Sequence, residues 1–102
     1  MPPAYTQKIP AMIRLNCFME VSANDYDAVL SEAVALTEES RKQSGCIDYD
    51  IFTSATRQGV MMFCETWKDQ AALDAHMASD IFKKCVGEIE KTTKLHINQF
   101  TL

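Results

Sequence analysis

A chain of 102 residues and 11.5 kDa has room for one hydrophobic core and not for two. Its composition, 47% apolar and 24% charged, is that of an ordinary globular domain, and no apolar run reaches the ~18 residues of a membrane-spanning helix. Ten Lys and Arg against fourteen Asp and Glu give a formal charge of −4, which argues against nucleic acid or an anionic membrane as partner, because a phosphate surface is met by a basic one.

The opening residues MPPAYTQKIP show little periodicity and none of the basic and apolar regions of a secretory leader. They read as an N-terminal arm, residues 1–10, ahead of a domain over residues 11–102, and the expected compartment is the cytoplasm. From residue 11 to 21 the sequence alternates: Ile13, Leu15, Cys17, Met19 and Val21 share one face, and Met12, Arg14, Asn16, Phe18 and Glu20 share the other. A period of two is a strand. Ser22 and Asn24 then offer side-chain oxygens to the free amides of a helix start. Tyr26, Val29, Leu30, Ala33, Val34 and Thr37 follow the helical stripe, Glu38 and Lys42 form an i,i+4 pair, and the helix is expected to close at Ser44-Gly45.

Residues 46–53 and 60–67 read as two strands of an antiparallel hairpin joined by the turn-rich 54–59. On the second of them Met61, Phe63, Glu65 and Trp67 share a face. Asp69 suits the start of a helix carrying Ala72, Leu73, His76 and Met77, and Ser79-Asp80 restarts it with Phe82, Cys85, Val86 and Ile89. From Thr93 alternation returns, giving a last strand. The order β-α-β-β-α-β predicts an α+β, ferredoxin-like split β-α-β plait with a four-stranded antiparallel sheet and both helical regions on one side. Its other face would expose apolar residues from every strand, so a homodimer is expected.

Cys17, Cys46, Cys64 and Cys85 form no short metal-ligand pair and read as core thiols. No phosphate-binding loop, zinc-binding or nucleophile-elbow motif is present. Asn16, Tyr49, Glu65, Trp67 and His76 are placed together on the helix-facing side as candidates for chemistry. Each also has a packing role: His76 as a hydrogen-bonded core histidine, Trp67 as an anchor, Tyr49 as core, and Glu65 as a buried carboxylate paired with Arg14.

Gly45-Cys46-Ile47-Asp48-Tyr49, Cys64-Glu65-Thr66-Trp67-Lys68-Asp69 and Ala72-Leu73-Asp74-Ala75-His76 give the elements G-C-x-x-Y, E-x-W and A-L-x-x-H. In this order and spacing the chain resembles the antibiotic biosynthesis monooxygenase domain, in particular its quinol monooxygenase-like branch. The resemblance implies a dimeric α+β barrel with a pocket between sheet and helices in each subunit. It further implies oxidation of a quinol or related phenolic aromatic by O₂ with no metal, flavin or other cofactor. On that reading His76, with a near-neutral pKa, moves the proton, and Asn16 and the Trp67 N–H hydrogen-bond to substrate or reduced oxygen. Phe18, Tyr49, Met62, Phe63 and Phe82 line the substrate. Haem-degrading relatives carry an iron-binding histidine where this chain has Phe82-Lys83-Lys84-Cys85-Val86. Two other readings stay open: isomerisation of a small phosphorylated metabolite, which calls for arginines such as Arg14 or Arg57 in the pocket, and a ligand-binding or structural dimer without turnover.

Overall fold

The computed structural model describes residues 11–102, and the arm expected at residues 1–10 lies outside them. The elements follow in the order β1 (Ile13–Val21), α1 (Tyr26–Ser40), β2 (Cys46–Thr53), β3 (Val60–Trp67), α2 (Gln70–Met77), α3 (Asp80–Ile89) and β4 (Thr93–Thr101). The strands form one sheet, ordered β2-β3-β1-β4, with every neighbouring pair antiparallel. This is the α+β, ferredoxin-like plait that the order of elements predicts.

Register turns alternation into rows across the sheet. On the helix-facing side the rows are Tyr49–Glu65–Leu15–Gln99, Ile51–Phe63–Cys17–Ile97 and Thr53–Met61–Met19–Leu95. On the other side they are Phe52–Met62–Phe18–His96, Asp50–Cys64–Asn16–Asn98 and Asp48–Thr66–Arg14–Phe100. Near its start β2 holds one extra residue, since Cys46 pairs with Trp67 and Asp48 already pairs with Thr66. This bulge re-phases the strand, so that Cys46 and Tyr49, three positions apart, both point towards the helices.

The core lies between the first set of rows and the helices, with Met19, Ala33, Leu36, Met61, Trp67, Leu73, Cys85 and Ile89 almost fully enclosed. Asp69 accepts a bond from Ala72 N at 2.8 Å and opens α2, and Ser79 Oγ accepts one from Phe82 N and opens α3. The broken second helical region is thus two capped helices.

The first helix departs from expectation at both ends. Its N-cap is Asp25, whose side chain makes no capping bond; Asp25 instead accepts from Ser22 Oγ at 3.0 Å. It stops at Ser40, and residues 41–45 form turns that end on Gly45 at φ +82. Gly45 thus closes the connection, but the chain leaves the helix four residues earlier than expected. The stripe is also rotated: Leu36 is buried and Val34 is exposed, and Lys42 pairs with Glu39 rather than Glu38.

Candidate functional site

Between the sheet and the three helices, packing leaves a cavity of about 80 Å³. Its walls are apolar, including Leu15, Phe63, Leu73, Phe82 and Ile97, and its polar groups are Tyr49, Glu65 and His76. Tyr49 and Glu65 are neighbours in one row of the sheet. His76 reaches them from α2, whose position is fixed by the Asp69 cap and by the buried Leu73. Met77 and Ile97, both well exposed, sit at the mouth.

His76 is held in an aromatic cage. Its ring stacks on Trp67, with centroids 4.6 Å apart and planes at 29°, while Tyr49 and Phe82 meet it edge-on at 5.3 and 5.0 Å. Such ring pairs contribute about 0.5–1.5 kcal/mol each beyond area burial. The imidazole Nδ1 lies 2.7 Å from Gln43 Oε1, and Nε2 lies 3.5 Å from the Tyr49 hydroxyl and 4.0 Å from Glu65 Oε1. The Trp67 indole N–H donates to Glu65 Oε1 at 2.9 Å.

Burial sets the ionisation of the cluster. It pushes the Glu65 carboxyl up to about 7, against hydrogen bonds from Trp67 and Tyr49 that favour the carboxylate and offset only part of the shift. It pushes His76 down to about 4, correcting the near-neutral value expected of it. The Tyr49 hydroxyl is driven far above its usual range, first by burial and then by the charge of Glu65. Near neutral pH the site therefore holds a neutral imidazole with a free lone pair beside a carboxyl poised to lose its proton.

The structure brings together His76, Tyr49, Glu65, Phe63 and Phe82 of the residues singled out in the sequence. Trp67 stands behind them: its N–H is committed to Glu65, and its ring is sealed from solvent. Asn16, Phe18 and Met62 are on the opposite face of the sheet, so they share no pocket with His76. The reason is parity: Asn16 pairs with Cys64, and Leu15 pairs with Glu65. Arg14 shares that opposite face and does not partner Glu65; its Nε donates to Thr66 Oγ1 at 2.8 Å and its Nη1 to Cys64 Sγ at 3.3 Å. Neither Arg14 nor Arg57 lines the cavity.

One contributor is absent from the sequence reading. Gln43 looks like an unremarkable polar residue of a helix end, and only the early stop of α1 swings it to His76. Glu65 is in the cavity as the sequence places it, with Trp67 and not Arg14 as its partner. Of the four thiols only Cys85 is fully buried. Cys17 lines the cavity, where burial and then the charge of Glu65 push it up to about 11. No group of three or more His, Cys, Asp or Glu with metal-binding geometry occurs among the described residues, nor is any of their helices long and apolar enough to cross a membrane.

Residues 12–88 match the family described as antibiotic biosynthesis monooxygenase. A Bacillus subtilis protein named "Putative monooxygenase YcnE" is 31% identical over 77 residues, spanning 76% of this chain and 81% of its own. Among solved structures, a conserved protein of unknown function from Bacteroides thetaiotaomicron, described as a possible oxidoreductase, superposes with a TM-score of 0.88 at 38% identity, covering 90% of this chain and 98% of its own. A conserved protein from Methanosarcina mazei gives 0.85 at 27% identity, over 95% and 97% of the two chains.

Proposed function

The chain belongs to the antibiotic biosynthesis monooxygenase family, and from that premise we propose that its domain, residues 11–102, is a cytoplasmic, homodimeric monooxygenase that oxidises a quinol or related phenolic with O₂ and without a cofactor. The observation that carries the reading is the polar floor of an apolar cavity: His76 Nε2, the Tyr49 hydroxyl and Glu65 meet where a ring hydroxyl would arrive.

The chemistry balances without an added reductant. A hydroquinone ring supplies the four electrons that O₂ requires: one oxygen atom ends on the ring of a hydroxyquinone, and the other leaves as water with two hydrogens of the substrate. The protein's share is to take the first hydroxyl proton, because the phenolate passes an electron to O₂ far more readily than the phenol does. His76 Nε2 accepts that proton, and since burial alone holds the imidazole near 4, it does so only with the Glu65 carboxylate ionised beside it. The imidazolium so formed lies 4.0 Å from Glu65 Oε1, whose carboxylate stabilises it. Tyr49, held neutral, donates to the developing oxyanion, while the apolar walls exclude water.

A cavity of about 80 Å³ is smaller than the ~150 Å³ that takes up benzene in an engineered core. Ring entry therefore displaces the mouth, where Met77 has a flexible, unbranched side chain. That size is also the one observation favouring a dimer without turnover. With no arginine at the cavity, a phosphorylated substrate has no guanidinium to meet it, which speaks against the isomerase.

The proposed dimer buries the outer face of the sheet. Phe52 and Phe100 are each 49% exposed there. A second copy laid on this face covers both phenylalanines. Four unpaired thiols suit a reducing compartment.

The test is oxygen uptake by the purified protein with hydroquinones and hydroxyanthracenes in metal-chelated buffer, alongside sedimentation. Substrate-dependent uptake that is lost in His76→Ala supports the enzyme; traces matching the buffer blank for a folded protein move the assignment to the non-catalytic dimer. A stable 11.5 kDa species at micromolar concentration removes the dimer.

A further inference from the structure

We infer that Gln43 is a positioning residue for His76: its amide oxygen holds the imidazole as the Nδ1–H tautomer and leaves the Nε2 lone pair facing the cavity. An amide oxygen only accepts, so at 2.7 Å the proton between the two groups belongs to Nδ1. Nε2 has nothing comparable. Its neighbours, the Tyr49 hydroxyl at 3.5 Å and Glu65 Oε1 at 4.0 Å, are too far to hold an N–H firmly, and all three groups line the same cavity. In a histidine, the bond made by one ring nitrogen decides the state of the other. A free neutral histidine side chain in water favours the Nε2–H form, so the opposite tautomer needs a device to hold it.

The turn that carries Gln43 is built for this. Gln43 N donates to Ser40 O at 3.0 Å, and Cys46 N donates to Gln43 O at 3.2 Å, fixing its backbone on both sides. Arg41 Nε donates to Tyr49 O at 2.8 Å and ties the same turn to β2 beside the cavity. Gly45 closes the turn against α2: a Cβ there would stand 2.5 Å from Ala72 Cβ, and the φ of +82 is itself one that L side chains rarely adopt. Ala72 and His76 lie one helical turn apart on α2. The close approach that only glycine permits therefore sets the distance from Gln43 to the imidazole. His76 is 2% exposed, so bulk water does not compete for Nδ1.

The consequence for catalysis rests on the monooxygenase reading, but the tautomer does not. The test is long-range ¹H–¹⁵N correlation spectroscopy of the full chain labelled with ¹⁵N-histidine at neutral pH. His76 is expected to show a protonated Nδ1 and a bare Nε2. Gln43→Leu should move it towards Nε2–H, whereas Gln43→Glu, which keeps an acceptor, should retain Nδ1–H. A wild-type protein with Nε2–H overturns the inference whether or not the variants fold, and so does a folded Gln43→Leu that keeps Nδ1–H unchanged. In oxygen uptake, Gln43→Leu should lower kcat about 10-fold with little change in KM, the order found for the outer partners of metal-bound histidines, and Gln43→Glu should restore much of it. A wild type that is Nδ1–H yet consumes no oxygen defeats the enzyme and leaves the tautomer. An active enzyme with Nε2–H defeats the tautomer and leaves the enzyme.

Discussion

The two faces of the sheet are written in the same strands at alternate positions, yet they hold their polar groups in opposite ways. On the helix side Glu65, His76 and Tyr49 are sealed inside an apolar shell, and their ionisation is set by burial. On the outer side Arg14, Asn16 and Asn98 lie between Phe52, Met62, Phe18 and Phe100, with none of the described helices above them. A polar residue inside a strand thus has two quite different meanings here. One face encloses its polar groups away from water, and the other leaves its polar groups in an open row among apolar side chains.

Large-to-small substitutions should separate the faces most clearly. Trp67→Ala removes the ring under His76 and the donor to Glu65 together, and should cost about 3–5 kcal/mol of unfolding free energy in denaturant titrations. Met62→Ala, five positions back along β3 on the outer face, should cost about 0.5 kcal/mol or less at fixed low concentration, with any further loss growing with protein concentration as a dimer requires. Equal, concentration-independent losses would erase the distinction.

Turnover sharpens it next. His76→Ala should lower hydroquinone-dependent oxygen uptake about 100-fold, equivalent to roughly 2.7 kcal/mol of barrier. Asn16→Ala should leave kcat unchanged, because the sheet itself stands between it and the cavity. Loss of kcat in Asn16→Ala with the dimer intact would mean that the chemistry lies on the outer face.

The sequence is most legible where one periodicity suffices. The limits of β2 and β3, the helix break at Ser79 and the Asp69 cap all follow from alternation or a single capping residue. The site is less legible because it depends on relations between elements. Asn16 was grouped with His76 because a polar residue in an apolar strand is conspicuous, yet one step of parity places it on the far side. The bulge at the start of β2 carries no glycine or other strong mark, although it decides where Tyr49 points. Gln43 becomes visible only once α1 ends at Ser40.

The pH dependence of stability offers a smaller, signed effect. Burial lowers His76 from its ordinary 6.5 to about 4, so between those values the unfolded chain binds the proton and stability rises with pH. Burial raises Glu65 from 4.5 to about 7, so across that window the folded chain binds the proton and stability falls as pH rises. The two slopes oppose each other between about 4.5 and 6.5 and should nearly cancel in the wild type. Glu65→Gln removes one of them, and its stability should climb with pH there by up to ~1.4 kcal/mol per unit. His76→Asn should show the reverse slope. Parallel curves for all three proteins would show that neither group is buried as the structure has it.

The smallest contrast separates two thiols that look alike in the sequence. Cys85 is 1% exposed and packs between α3 and the core, whereas Cys64 is half-buried on the outer face beneath the Arg14 guanidinium. Cys85→Ala opens a void in a closed interior and should cost about 1–2 kcal/mol. Cys64→Ala deletes a weak acceptor, but Arg14 keeps its 2.8 Å bond to Thr66 Oγ1, and solvent or a second copy can fill the space. Its cost should be about 0.5 kcal/mol or less. Neither variant should change oxygen uptake, since neither thiol lines the cavity. If the order of the two costs were reversed in denaturant titrations of both variants at the same concentration, the outer face would be contributing to the stability of the fold as a packed core does, and the contrast between the faces would fail on the energetic ground where it is weakest.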